Sequence, residues 1–247
     1  MARSMDINPR ARLALVSWAA RLGTITAEAL AERDAVSLAS ARARLVAAER
    51  AGMVVGRRPL AGEPALYSAT RAGLRAAGAR GLGSARVSAA GAAHAITCAR
   101  VAAWLERAYP DHYLMGEREL QREERQAEGA RLVSARLGPR AGVRRTHRAD
   151  LVLWPPARMD LPVAVEVELT VKAADRLVEI CRAWARCRDV AGVVYLISPE
   201  VRRPLERAID SSRAGDRVTL IALDAIGEGV ATQSTGGRAE RTVSGDA

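Results

Sequence analysis

Asp150, Glu166, Glu168 and Lys172 are the residues whose types and spacing could do chemistry. Residues 163–170 read VAVEVELT, a period-two alternation that predicts a strand. Val163, Val165, Val167 and Leu169 then face a core, and Ala164, Glu166, Glu168 and Thr170 face the other way. Two carboxylates stacked on one strand face repel each other, so that face is expected to be open to water or bridged by a cation. Residues 148–154 predict the preceding strand. If it lies alongside, Asp150 joins the two glutamates, and an oxygen-only set with positions left for water suits Mg²⁺ or Mn²⁺. Such a metal would lower the pKa of bound water and offset charge on a pentacovalent phosphate. Of 38 basic side chains, Lys172 is the only lysine. Its compact ammonium could orient or help activate water, or balance phosphate charge, where a guanidinium could not give up a proton. Chance survival of one lysine codon is the other reading.

The elements that must position these residues follow from periodicity and turn signals. A long amphipathic helix is predicted over 87–109, carrying Ile96, Val101, Trp104 and Leu105. His94, near its start, reads as a packed structural residue. Residues 113–126 begin apolar and become densely charged, and residues 127–147 are Gly/Arg-rich and irregular, with Arg131, Arg136, Arg140, Arg144 and Arg145, a basic stretch that either tracks a nucleic-acid backbone or forms a solvated hairpin. After the strands at 148–154 and 163–170 comes a helix over 171–188, with Leu177, Ile180, Cys181 and Trp184 on its buried side. The continuous apolar run 191–198 predicts a strand covered on both faces. A helix at 199–212 and a strand at 217–223 complete an α/β domain, a mixed sheet flanked by helices, over residues 87–227. The polar, Gly/Ser/Thr-rich residues 228–247 read as a disordered tail.

Residues 1–80 have a different rhythm. Asn8-Pro9 starts a first helix that stops at Gly23, Thr26 caps a second, and Ser37 caps a third that ends at Gly52. On the third helix Leu38, Ala41, Leu45 and Ala48 share an inward face, while Ala39, Ser40, Ala43 and Ala47 lie opposite, flanked by Arg42 and Arg44. Small side chains let a helix sit deep in a major groove while arginines reach phosphates or guanine edges. Two strands, 53–56 and 65–68, are joined by a loop with Arg57 and Arg58 near its tip, and Thr70 caps a closing helix. The candidate DNA contacts are therefore Ser37, Ser40, Arg42, Arg44, Arg57 and Arg58. Residues 78–84, GARGLGS, read as the linker between the two domains.

A net charge of +10 favours a polyanionic partner, nucleic acid above all, although a generally basic protein would show the same surplus. With 49% hydrophobic and 27% charged residues the composition is globular. Aromatics are 3%, so the cores must be built from Leu, Val, Ile and Ala. Cys98, Cys181 and Cys187 show no metal-ligand spacing and fit a reducing cytoplasm. No apolar stretch is long enough to cross a bilayer.

The helix–helix–helix–hairpin–helix order of residues 9–79 resembles the winged helix-turn-helix domains of bacterial regulators. Ala51-Gly52-Met53-Val54 and the run 67–73 (YSATRAG) carry that resemblance. Asp150 followed by Glu166-Val167-Glu168 on the next strand, a helix and a further apolar strand resembles the PD-(D/E)XK nuclease core. That resemblance implies Asp150 and Glu166 as metal ligands, with Glu168 at the position where lysine is usual. It implies Lys172 as a lysine displaced to the following helix, and Glu117 as an upstream acidic residue. The whole chain resembles the replication-relaxation family of bacterial plasmids and mobile elements, on Arg148-Ala149-Asp150 and the run 165–170 (VEVELT). The resemblance implies double-stranded DNA as partner, with a relaxase or replication initiator as a further one. Three readings of the second domain stay open: a metal-dependent endonuclease, a vestigial nuclease fold in a non-catalytic regulator, or a domain that binds a partner protein such as a relaxase or replication initiator.

Overall fold

The computed structural model describes residues 8–126, 133–140, 143–156 and 160–226; the tail expected at 228–247 lies outside them. Each helix of the N-terminal unit begins where a polar side chain can accept an orphan backbone N–H. Asn8 caps α1 (Pro9–Leu22), Thr26 caps α2 (Ala27–Arg33), and Ser37 caps α3 (Leu38–Arg50). Hairpin strands β1 (Val54–Arg57) and β2 (Leu66–Ala69) follow, one residue later than the sequence pattern suggests. Ile25, between α1 and α2, adds a single antiparallel bridge to Tyr67 and so ties the hairpin to the helices.

Two residues of the closing motif lock the hairpin's base. The Thr70 hydroxyl donates to the Gly52 carbonyl at 2.6 Å and accepts from Gly73 N–H, capping α4 (Arg71–Ala76). A Cβ at Gly73 would lie 2.0 Å from the Met53 carbonyl oxygen, so only glycine lets α4 approach this closely.

The second unit opens with α5 (Ala89–Ala108), β3 (Tyr113–Gly116) and α6 (Glu117–Gln126). Over the basic stretch 127–147, for which a hairpin is one of the two readings, β4 (Ser134–Arg140) and β5 (Val143–Arg148) form an antiparallel pair. Val133, Ser134, Ala135 and Leu137 are buried and Arg136 and Gly138 are exposed, so apolar side chains anchor this pair although Arg and Gly dominate its composition. Then come β6 (Leu151–Trp154), β7 (Val163–Glu168), α7 (Ala174–Ala185), β8 (Gly192–Ile197), α8 (Pro199–Ser212) and β9 (Val218–Ala222). The five-stranded sheet has the order β3-β6-β7-β8-β9. It is antiparallel from β3 to β7 and parallel from β7 to β9, a mixed sheet flanked by helices. Among the described residues no helix is long and apolar enough to cross a membrane.

Both faces of the sheet are covered. Leu151, Leu153, Val165 and Val167 pack with α5 and with the helices of the N-terminal unit in one core. Val152, Ala164, Val193 and Tyr195 pack with α7, α8 and the β4–β5 pair in another. Of the two expectations for the Glu166 and Glu168 face, openness to water is thereby corrected: both residues share the second face and are buried.

The first core spans both units, and one carboxylate binds them together. Glu106, on α5, accepts from Trp18 Nε1 at 3.1 Å and from Arg21 at 3.2 Å, and its other oxygen accepts from Arg33 at 2.6 Å. Arg21 also donates to the Leu114 carbonyl, and a Cβ at Gly116 would come within 2.9 Å of the Arg21 carbonyl oxygen. The residues read as a linker are docked: Leu82 is buried, and Arg118 donates to the Gly83 carbonyl. Glu106→Ala strands three donors in a partly buried interface and should cost about 2–4 kcal/mol. Urea unfolding followed by Trp fluorescence checks this, and Glu106→Gln, which keeps an acceptor for Trp18, should lose less.

Candidate functional site

Pairing of β6 with β7 runs from Leu153↔Val163 to Leu151↔Val165 and stops there. Asp150 is the next residue, in a bend off the end of the ladder, so its side chain is released from strand alternation. It turns toward α5. Its Oδ2 accepts the Val167 N–H at 2.8 Å and lies 3.3 Å from His94 Nε2. One turn along α5, Cys98 Sγ lies 3.6 Å from His94 Nδ1 and 3.8 Å from Nε2. One ligand atom each from His94, Cys98 and Asp150 fall within 4.8 Å of one another, the one such group of three among the described residues. These three residues form a candidate metal-binding triad.

Glu166 turns the other way. Its Oε1 accepts from Trp184 Nε1 at 3.1 Å and lies 2.8 Å from His147 Nε2. Glu168 pairs with Lys172 through Oε2. The sequence pattern puts Lys172 on a helix; it lies instead in the irregular segment before α7, with its side chain half-exposed. Glu117 is the first residue of α6. Its backbone N–H donates to the Asp150 carbonyl, and its half-exposed carboxylate accepts from Gln121 and lies 3.7 Å from Arg148. The five acidic and basic residues singled out in the sequence are thus neighbours in space. They do not share one open face, because Asp150 points to the α5 side of the sheet and Glu166 to the α7 side.

The electrostatics follow from this division. Burial pushes the Glu166 carboxyl above its ordinary range, opposed by the charge and hydrogen bond of His147 and reinforced by the charge of Asp150. Burial pulls His147 down, but the charge and hydrogen bond of Glu166, with the charge of Asp150, outweigh it and its pKa stands above 6.5. The hydrogen bond to Asp150 raises His94 against the opposing effect of burial. Burial raises the Cys98 thiol well above its ordinary value, and the charges of Asp150, Glu166 and Glu117 push it further. Burial and the neighbouring carboxylates together disfavour an isolated thiolate at Cys98. A cavity of about 180 Å³ opens beside Asp150, walled by His94, Cys98, Glu117 and Arg118 and, from the N-terminal unit, by Gly23 and Thr24.

The sequence pattern reads His94 as a packed structural residue and Cys98 as lacking metal-ligand spacing, and it does not single out His147; the structure brings His94 and Cys98 together with Asp150. A His and a Cys four residues apart share one helix face, and that spacing was the available signal for the first two. His147 sits on β5, and its role depends on the β4–β5 pair.

The residues marked for DNA contact lie on α3 and at the hairpin. Ser37 Oγ accepts the Ser40 N–H as a cap. Exposed Arg42 lies 3.3 Å from Glu28, and Arg44 lies 2.9 Å from Asp34. Arg57 and Arg58 are exposed at the start of the hairpin loop, Arg58 reaching the Glu63 carbonyl at 3.4 Å. Of the Arg-rich stretch 131–145, Arg136 is exposed and Arg145 pairs with Glu179 at 3.1 Å; Arg131 lies outside the described residues.

Comparison with protein-family models, with curated proteins and with solved structures returned no match in any of the three.

A histidine whose pKa is raised on folding contributes stability that is complete below its unfolded value and is lost as pH rises through the folded value. For His147 that window opens near 6.5 and extends upward. With chelator present, the thermal midpoint should fall as pH rises from about 6 to about 8.5. His147→Gln, which can still donate to Glu166 but does not titrate, should flatten that fall; an unchanged slope would refute the assignment.

Proposed function

We propose that this chain binds double-stranded DNA through its N-terminal unit, as a winged helix-turn-helix, in the replication or mobilisation chemistry of a plasmid or mobile element. The observation that carries this reading is the outer surface of α3 and the hairpin. Ala39 and Ala43 are exposed small residues, and Arg42, Arg57 and Arg58 stand exposed around them. The Ile25–Tyr67 bridge, which ties the hairpin to the α1–α2 segment, and the Gly56 N–H donated to Glu49 of α3 at 2.7 Å support the winged-helix reading, since they hold the hairpin against the helices. Arg42 and Arg44 are engaged with Glu28 and Asp34. Surface pairs of this kind contribute about 0–1 kcal/mol, so exchanging a carboxylate for a phosphate costs little.

The second unit supports the nuclease-type plan by its main-sheet strands β3, β6, β7 and β8 with α5 before them and α7 between β7 and β8, α6 and the β4–β5 pair being inserted between β3 and β6; Asp150 lies at the mouth of the β6–β7 pair with Glu166-Val167-Glu168 beside it. A second reading, phosphodiester cleavage, is favoured by Lys172 beside Glu168 and by Glu117 on the wall of the Asp150 cavity. Mg²⁺ and Mn²⁺ fit these residues poorly. The donors nearest Asp150 are an imidazole and a thiol, and Glu166 Oε1 already accepts from Trp184 and lies against His147, whereas both ions prefer oxygen-only sets. A hydrolytic step through either ion therefore lacks the ligand set it needs.

Fluorescence anisotropy with labelled duplex DNA should show affinity falling steeply with salt. The Arg57→Ala/Arg58→Ala double variant should lower the slope of log K against log salt by about 1–2, roughly one for each phosphate no longer neutralised. A slope unchanged by that variant would remove the hairpin from the interface. Supercoiled plasmid incubated with Mg²⁺, Mn²⁺ or chelator tests the second reading: nicking that is absent, or that persists in Asp150→Ala, excludes it.

A further inference from the structure

We propose that His94 Nε2, Cys98 Sγ and an Asp150 carboxylate oxygen form a three-ligand site for a borderline-soft divalent cation of the zinc class. The site lies in the cavity between the two units. The proposal stands on side-chain geometry alone and does not depend on DNA binding or cleavage.

Bonds of about 2.3 Å from zinc to sulfur and about 2.0–2.1 Å to imidazole or carboxylate set the edges of a tetrahedron, about 3.6 Å between S and N and about 3.4 Å between N and O. The corresponding separations here are 3.8 Å from Cys98 Sγ to His94 Nε2 and 3.3 Å from His94 Nε2 to Asp150 Oδ2. The remaining edge, from Cys98 to Asp150, is within 4.8 Å. Three donors of the right types therefore stand close to the spacing that one tetrahedral ion requires; because Cys98 Sγ also lies 3.6 Å from His94 Nδ1, the imidazole turns on binding to aim its Nε2 lone pair at the ion.

The surroundings serve such an ion. Two of the ligands sit four residues apart on α5, a regular helix of 20 residues, which fixes their relative position. The third is oriented by the Val167 N–H, as ligating carboxylates commonly are by an outer hydrogen bond. The negative field of Asp150 and Glu117 disfavours an isolated thiolate and favours a dication at the same place. On binding, Cys98 exchanges its thiol proton for the metal and that proton leaves to solvent; the Nε2 proton that His94 shares with Asp150 is also given up, to solvent from the imidazolium or by transfer to Nδ1 in the neutral ring, so that Nε2 ligates as neutral imidazole. Three protein ligands leave the fourth position to a water on the cavity side, the arrangement of reactive rather than purely structural zinc sites. Glu117 and Arg118 line that cavity.

Cobalt(II) titration of the full-length reduced protein tests this directly. One equivalent should produce a thiolate-to-cobalt charge-transfer band in the near ultraviolet and visible bands of tetrahedral intensity. Zn²⁺ should displace the cobalt stoichiometrically, and a large excess of Mg²⁺ should not. Cys98→Ala, which preserves packing volume closely, should abolish the charge-transfer band, while Cys181→Ser and Cys187→Ser should retain it. His94→Ala should weaken binding at least about tenfold, with circular dichroism confirming that each variant is folded. Absence of the band in the wild type, its survival in Cys98→Ala, or ready displacement of cobalt by Mg²⁺ would each overturn the proposal. Duplex binding measured with chelator present reports on the N-terminal unit separately, so either reading can fail without the other.

Discussion

An ionised carboxylate cannot be left in a covered layer without donors to meet it, and β7 places two there. Glu166 and Glu168 project toward α7 and α8 from a sheet covered on both faces. Trp184 reaches Glu166 from α7, and Lys172 reaches Glu168 from the segment just before it. The β4–β5 pair closes over the same layer and carries His147 to Glu166. Without that pair the space beside α7 would be open, and Glu166 would lose its closest polar neighbour. Satisfying these two carboxylates thus accounts for Trp184, for the lysine and for an added strand pair outside the main sheet.

The same sheet end explains why Asp150 does something different. Strand alternation governs side-chain direction only while the ladder continues, and the β6–β7 ladder ends one residue before Asp150. Freed from it, Asp150 bonds the Val167 N–H at the ladder's edge and swings to the α5 face, where His94 and Cys98 wait. The cavity there exists because the N-terminal unit is pressed against α5 by Glu106 and its three partners. Two chemically distinct clusters therefore lie back to back: a carboxylate layer toward α7, and a nitrogen–sulfur–oxygen set toward α5.

Much of the architecture was legible. Caps at Asn8, Thr26, Ser37 and Thr70 and the buried face of Leu177, Ile180, Cys181 and Trp184 fall where local patterns put them, because caps and helix faces are decided within a few residues. What was not legible depends on interactions across the fold. The alternation of residues 163–170 shows which side chains share a face, but not that α7, α8 and β4–β5 bury that face. The helix after β7 begins at Ala174 rather than at residue 171, which leaves Lys172 free to fold back on Glu168. The Gly-rich residues 78–84 have a linker's composition, yet they dock through Leu82 and the arginines of α6, an arrangement no local pattern encodes. For the site, the residue types at Asp150, Glu166 and Glu168 were visible, whereas the partners at His94, Cys98 and His147 required the tertiary structure.

Charge is distributed with the same economy of place. The buried carboxylates among the described residues, Glu119, Glu124, Glu166 and Glu168, all belong to the α/β unit. There each meets a donor from its own surroundings, among them Tyr113 and Arg122 for Glu119 and Arg148 for Glu124. In the N-terminal unit Glu28 and Asp34 remain near the surface, paired with arginines of α3. The distinction matters energetically. Removing one member of a buried pair leaves an uncompensated charge and costs several kcal/mol, roughly 3–5. An exposed pair exchanges partners at little cost because water screens both states. The arginines of α3 can therefore change partners at little cost, while Arg148 and the partners of Glu106 are committed to holding the fold.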